Sequence, residues 1–353
     1  MGKQPHVVVI PYPAQGHVAP LLKLATKIAK HGIKVTFVNT EFIHAKIMAS
    51  IPDKAEELSP VRLVSFPDGL EEGDDRNDFI KELIKKINQS DECEPISCVI
   101  ADICLGWALE LAHEMGIPRA ALVPYGPPTL AISFHVKKIV DAGIIDNDGY
   151  AMPMTDEWIS ISEETLPWKR NEFNWSCPGE PMIQKIFLEI TCAAAETVRI
   201  SNWVLSNSIY ELDSPNCDLV PKVLTIGKIV EWAAQEKVLA HSSVACFLSH
   251  CGWNSTTEGL SMGVPFLCWP YFADQYQNRR FICEVWKIGL DLTPDENGIV
   301  TRHEIQRKVR RLISDDGIKS NSLKIKEMAR KSLVEGGSSF KNFERFISQV
   351  KSR

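Results

Sequence analysis

An α/β architecture with two doubly wound parallel sheets is predicted by three observations. Continuous apolar, β-branched runs alternate with helix-period segments, the alternation occupies two separate stretches, and 353 residues suffice for two domains of ordinary size. The first run, His6-Val7-Val8-Val9-Ile10-Pro11, shows no polar alternation, as expected of a strand buried on both faces. After the turn Gln15-Gly16-His17, Pro20 is expected to open a helix with apolar residues at 21, 22, 24, 25, 28 and 29, and Gly32 to end it. Ile33 to Val38 is the next strand, which completes a βαβ unit. The series continues with strand Val61 to Phe66, a charged loop Glu71 to Asp78, helix Ile80 to Ile87 and strand Ser97 to Ala101. A helix around Trp107 to Met115 and strand Ala120 to Val123 follow. Such sheets bind ligands at the carboxyl ends of their strands. His17 and Asp102 both follow such an end.

From Asp141 to Pro181 the chain reads as irregular, then as a helix to about Val198 and a strand Trp203 to Ser206. The Pro-containing stretch Asp213 to Pro221 marks a domain boundary, placing a first domain at 1–221 and a second at 222–353. In the second, Ile229 to Trp232, Cys246 to Ser249 and Pro265 to Trp269 read as strands, with helices at Gln235 to His241 and up to Met262.

The net charge is −6 with no long block of one sign, so a nucleic-acid partner is not expected. No run approaches the roughly 18 apolar residues of a membrane span, and the amino terminus lacks the order of a signal peptide. Ten scattered cysteines without a CxxC pair read as reduced thiols, and a cytoplasmic setting is expected. Asp146-x-Asp148 reads as a polar turn, and His241 and His250 lack zinc-ligand spacing. No Gly-x-Gly-x-x-Gly follows the first strand.

Residues 249–259, Ser-His-Cys-Gly-Trp-Asn-Ser-Thr-Thr-Glu-Gly, lie where a strand ends and a helix begins. The free N–H groups of that helix, with Asn254 and Ser255, suit either a phosphate site or an ordinary helix cap. The wider context is more specific. Trp232-Ala233-Ala234-Gln235, Val238-Leu239-Ala240-His241, His250-Cys251-Gly252-Trp253-Asn254-Ser255, Glu258, Gly263-Val264-Pro265 and Pro270-Tyr271-Phe272-Ala273-Asp274-Gln275 stand in one register. This stretch resembles the signature box of the plant UDP-sugar glycosyltransferases of secondary metabolism. The resemblance extends to Pro13-Ala14-Gln15-Gly16-His17, Ile100-Ala101-Asp102, Gly106-Trp107-Ala108 and Gly336-Gly337-Ser338-Ser339.

The resemblance implies a GT-B-type fold of two Rossmann-like domains, the first holding an acceptor and the second a UDP-sugar. It implies that Trp232 stacks on uracil, that the Ala233 backbone bonds the uracil edge, and that Gln235 and Glu258 take the ribose hydroxyls. His250, Gly252, Asn254 and Ser255 would hold the diphosphate, and Trp253, Asp274 and Gln275 the sugar. Gln275 is the family's correlate of glucose. His17 would be the general base and Asp102 its orienting carboxylate, in an inverting transfer to a hydroxyl of a small lipophilic acceptor of phenolic, flavonoid or terpenoid type. UDP-glucose is then the donor substrate, with no metal and no further cofactor, and a monomer is expected.

Two departures stand out. Ala234 replaces the usual Pro, and between Gly227 and Ile229 on the order of 100 residues of the family pattern are missing, most of a domain by usual sizes. A shorter gap falls near Asp78 to Ile80. The second domain is therefore expected to be truncated, with an exposed sheet edge and weak donor binding. The alternative reading is a truncated, non-catalytic variant that at most binds UDP-sugar weakly.

Overall fold

The computed structural model describes residues 4–50, 60–67, 76–89, 95–153, 157–170, 172–177, 179–227 and 238–352. Its strands are β1 (His6–Ile10), β2 (Lys34–Thr40), β3 (Val61–Phe66), β4 (Ile96–Asp102), β5 (Arg119–Val123), β6 (Trp158–Ile159), β7 (Trp168–Lys169), β8 (Trp203–Ser206), β9 (Val223–Thr225), β10 (Phe247–Ser249), β11 (Phe266–Cys268) and β12 (Gly289–Asp291). The helices are α1 (Gln15–Lys30), α2 (Glu41–Ser50), α3 (Arg76–Gln89), α4 (Gly106–Glu114), α5 (Pro127–Asp141), α6 (Pro181–Ile200), α7 (Ser214–Asp218), α8 (Trp253–Met262), α9 (Gln275–Arg280), α10 (Arg302–Ser314), α11 (Asp316–Leu333) and α12 (Ser338–Lys351).

Seven parallel strands form the larger sheet in the order β3-β2-β1-β4-β5-β8-β9. The strand order reverses between β1 and β4, which makes their carboxyl ends the switch-point crevice of the sheet. Ile10 pairs with Ala101, so the chain leaves β1 directly beside Asp102. Side chains alternate between two layers. Val7 and Val9 pack with Leu21 and Ile28 of α1 on one face, and Val8 and Ile10 with Ile84 of α3, Leu109 of α4 and Leu130 of α5 on the other. Both faces are covered, the reason the strand sequences are continuously apolar.

α1 begins at Gln15, so Pro20 lies inside the helix and does not open it. α5 was not anticipated: nearly all of its first two turns are buried, which erases the one-sided apolar period that marks a surface helix. β9 falls after the 221/222 boundary yet pairs with β8 in the first sheet. α12 also returns to that sheet. Its Phe343, Phe346, Ile347 and Val350 join the Val7–Val9 layer, Trp203 Nε1–H donates to Gln349 Oε1 at 2.6 Å, and Asn342 Nδ2 donates to the Thr225 carbonyl at 3.0 Å.

The smaller sheet is parallel and three-stranded, in the order β10-β11-β12. Phe266 and Cys268 face Leu260 of α8 and Ile325 of α11, while Leu267 between them faces Leu312 of α10 and Ile318 of α11. β10 lies at the edge with Leu248 53% exposed, and among the described residues no strand pairs with its outer side. The expected strand Ile229 to Trp232, the first residues of the expected helix Gln235 to His241 and the acidic run Glu71 to Asp75 lie outside the described residues.

Replacing Phe346 with Ala removes a fully buried ring from the seam between α12 and the large sheet. A loss of about 3–5 kcal/mol in unfolding free energy is expected in urea denaturation.

Candidate active site

Both sheets turn the carboxyl ends of their strands toward one cleft of about 620 Å³, lined from the first domain by His17, Cys104 and Tyr125 and from the second by His250, Asn254 and Asp274. The turn after β1 carries His17 on the first turn of α1, and β4 ends on Asp102. His17 Nδ1 and Asp102 Oδ2 are 2.7 Å apart. Asp102 is wholly buried, and its other oxygen, Oδ1, accepts the Cys104 backbone N–H at 2.9 Å. The His17 side chain is 25% exposed, so Nε2, across the ring from Nδ1, is left to the cleft. Burial works against a charge on His17. The charge of Asp102, its hydrogen bond and a smaller contribution from Asp274 outweigh that and hold the imidazole above its usual 6.5. The ring of Tyr12 lies 5.0 Å from that of His17.

On the opposite wall, β10 runs into His250-Cys251-Gly252 and then α8. Gly252 is the N-cap of α8, without a side chain bonded to the first N–H groups. The positive end of a ten-residue helix therefore points at the cleft. Gly252 is required by close approach: a Cβ there would lie 2.3 Å from His250 Nε2. Burial lowers the His250 imidazole, which favours its neutral form. Cys251 and Ala273 hold left-handed backbone angles, φ 66° and 54°, immediately before Gly252 and Asp274. Strained non-glycine residues of this kind gather at functional sites.

Asp274 lies at the N-terminus of α9. Burial pushes its carboxyl up to about 6, against the Asn278 hydrogen bond at 2.8 Å and the charge of His17. Asn278 Nδ2 also donates to the Cys251 carbonyl at 2.8 Å, tying α9 to the His250–Gly252 turn. Gln275 is placed differently from its neighbour. It is 3% exposed, does not line the cleft, and its Oε1 accepts the N–H groups of Tyr271 and Phe272 at 3.0 and 3.3 Å.

The structure thus brings His17, Asp102, His250, Gly252, Trp253, Asn254, Ser255, Glu258 and Asp274 around one cleft or directly behind its wall. Trp232, Ala233 and Gln235 lie outside the described residues. Trp253 is buried, and its indole N–H donates to the Asn207 carbonyl at 2.8 Å. Its side-chain donor therefore serves the joint between domains. Sequence reasoning missed Asn207, Tyr125 and Gly126, all of which follow strand ends of the first sheet, while Cys104 lies in the stretch Ile103 to Trp107 that was expected to line an acceptor pocket. Gly126 had a signal, a glycine between a strand and Pro127-Pro128. A Cβ on Gly126 would lie 2.9 Å from the Trp253 indole.

Two parallel α/β sheets meet carboxyl end to carboxyl end across this cleft, the arrangement of the GT-B fold. The structure superimposes with TM-score 0.82 on Phytolacca americana UGT2, solved in complex with UDP-2fluoro-glucose and pterostilbene, at 18% identity over 99% of this chain and all of that one. It superimposes with TM-score 0.83 on a UDP-glucosyltransferase from Polygonum tinctorium capable of glucosylating indoxyl, at 18% identity over the whole of both chains. The family model "UDP-glucoronosyl and UDP-glucosyl transferase" matches residues 212–335, and "Glycosyltransferase, N-terminal domain" matches residues 4–66. UDP-glycosyltransferase 83A1 of Arabidopsis thaliana is 32% identical over 457 aligned positions, spanning all of this chain and 98% of that protein. The chain belongs to the plant UDP-glycosyltransferase family. Because it has 353 residues, at least 457 − 353 = 104 of those positions are filled in the Arabidopsis protein alone. No helix among the described residues is long and apolar enough to cross a membrane.

Gly126→Ala is expected to displace the Trp253 indole and leave its N–H without the Asn207 carbonyl. The expected loss is about 1–3 kcal/mol, read from urea unfolding followed by tryptophan fluorescence.

Proposed function

We propose that this chain transfers glucose from UDP-glucose to a hydroxyl of a small lipophilic acceptor, with inversion at the anomeric carbon. The observation that carries the reading is the 2.7 Å contact between His17 Nδ1 and buried Asp102, with Nε2 left to the cleft opposite the N-terminus of α8. With its proton on Nδ1 and held by Asp102, neutral His17 has a bare Nε2 to take the acceptor O–H proton. The acceptor oxygen bonds the anomeric carbon as the bond from that carbon to the UDP oxygen breaks, and the electron pair leaves with UDP. Asp102, itself wholly buried, then faces the imidazolium and stabilises it.

In this reading the diphosphate lies at the N-terminus of α8, against His250, Gly252, Asn254 and Ser255. Hydrogen bonds and the helix dipole there stabilise the developing charge on the leaving group without a metal. Glu258 takes the ribose hydroxyls and Asp274 the sugar, while Gln275 shapes the 271–274 turn that carries Asp274. Trp232, Ala233 and Gln235 complete the uridine site. The acceptor side is lined by Tyr12, Tyr125 and Phe187, a mainly aromatic wall. The pterostilbene bound by the Phytolacca protein and the indoxyl glucosylated by the Polygonum protein are acceptors of this chemistry.

His17→Ala is expected to lower glucoside formation by about 10²–10⁴-fold in assays with UDP-glucose and a panel of phenolic and terpenoid acceptors. No difference from wild type would remove His17 from the reaction. In wild type, kcat/KM should fall as pH drops through a His17 value above 6.5, because the protonated ring is no base. Asp274 titrates at about 6, and its charge above that pH supports the imidazolium. Asp102→Asn removes the main group opposing burial, so the acid limb should move to lower pH as the rate falls.

A non-catalytic reading is favoured by one observation: among the described residues no strand pairs with the outer edge of β10, whose Leu248 is exposed. Thermal melting with and without UDP separates the two. A cooperative transition raised by UDP, with turnover, supports the transferase; a rise without turnover supports a nucleotide binder; a broad transition that UDP leaves unmoved supports an unproductive chain.

A further inference from the structure

Cys104 stands beside the His17–Asp102 pair and has no part in the transfer described above. Its thiol is turned to the Asp102 carboxylate, which already takes its backbone N–H at 2.9 Å. Among the described residues, His17, Asp102 and Cys104 are the only three His, Cys or carboxylate side chains whose ligand atoms all lie within 4.8 Å of one another. Asp102 is buried, whereas His17 and Cys104 line the open cleft, which has room for a water as fourth ligand.

We propose that His17 Nδ1, the Asp102 carboxylate and Cys104 Sγ form a binding site for a divalent cation of the zinc type, with a water from the cleft as fourth ligand. Imidazole nitrogen, thiolate sulfur and carboxylate oxygen are the donors zinc takes, and three protein ligands with one open position is a common arrangement for it. The proton count is definite. In the metal-free state with neutral imidazole, the cluster holds a thiol proton, an Nδ1 proton and one negative charge. The cation displaces the thiol proton to solvent and moves the ring proton from Nδ1 to Nε2. Two positive charges then meet one thiolate and one carboxylate, and the buried cluster becomes neutral. Nothing is oxidised or reduced. Nδ1 and Oδ2, now 2.7 Å apart, must open to about 3.3 Å, and Sγ, within 4.8 Å of both, must come to about 3.5 Å from each, the separations on tetrahedral zinc.

Binding has a consequence for the reaction, and this part rests on the proposed role of His17. A cation on Nδ1 puts the ring proton on Nε2, the nitrogen that must be bare to act as a base. The site is therefore inhibitory.

The test titrates cobalt(II) chloride into the purified full chain under a non-thiol reductant and follows the thiolate-to-cobalt absorption band. One equivalent is expected to bind, to be displaced by zinc chloride, and to give no band in Cys104→Ala, whose zinc affinity should fall at least tenfold. Cys283→Ala, a change in the other close thiol group, should keep the band. A band of undiminished amplitude in Cys104→Ala overturns the proposal, as does absence of any cobalt spectrum in wild type. Should Cys104→Ala fail to fold, Cys104→Ser carries the same test, because a hydroxyl gives no such band. Zinc inhibition of glucoside formation that Cys104→Ala relieves supports both the site and the base assignment. Binding at Cys104 without inhibition supports the site and counts against His17 as base.

Discussion

Pro20 has no amide hydrogen, so the Gly16 carbonyl, four residues before it in α1, lacks its ordinary helical donor. The carboxamide of Asn254, on the first turn of α8 in the other domain, donates to that carbonyl at 2.7 Å. A local defect in one helix thus becomes the joint between two domains. The joint lies one residue from His17, and it sets that imidazole opposite the N-terminus of α8. Asn254 Oδ1 in turn accepts from Asn207 Nδ2 at 3.4 Å, and Asn207 offers its carbonyl to Trp253. Outer contacts repeat the link: Arg279 meets Glu172 at 3.1 Å, and the Arg280 guanidinium lies 4.5 Å from the Trp158 ring. A cleft of this kind exists only where two sheets are held with their carboxyl ends facing.

Around that joint the charges are arranged against the preference of a buried site. Asp102 stays inside a fully covered pocket because its two oxygens take the His17 ring and the Cys104 N–H. Asp274, with fewer donors, is pushed up to about 6. The left-handed Cys251 and Ala273 sit on the second-domain wall of the same cleft, so the backbone strain is concentrated there.

Strand identities in the first domain were legible to within about two residues, because two-sided burial writes itself as unbroken apolar runs such as Val7-Val8-Val9-Ile10. The same alternation put His17 and Asp102 each past a strand end of a parallel sheet, and the resemblance implied their pairing, which is the 2.7 Å contact found. Burial of its first two turns hid α5, and the purpose of Pro20 was hidden because it is settled by a residue 234 positions further along the chain. Resemblance supplied the donor residues, yet it did not distinguish Asp274, which lines the cleft, from Gln275, whose Oε1 is used within its own turn. Nor did local pattern show that β9 and α12 return to the first sheet. Long-range pairing leaves no trace in a window of a few residues.

The return of α12 has a consequence for how the protein is made. Trp203 of β8 leaves the ribosome well before Phe346 and Gln349 of α12, which pack against its ring and accept its indole N–H. Until α12 is made, that part of the apolar face stays open, a state prone to association with other nascent chains. Closure of that face waits on the far end of the second domain, so the two halves share one folding event although each has its own sheet.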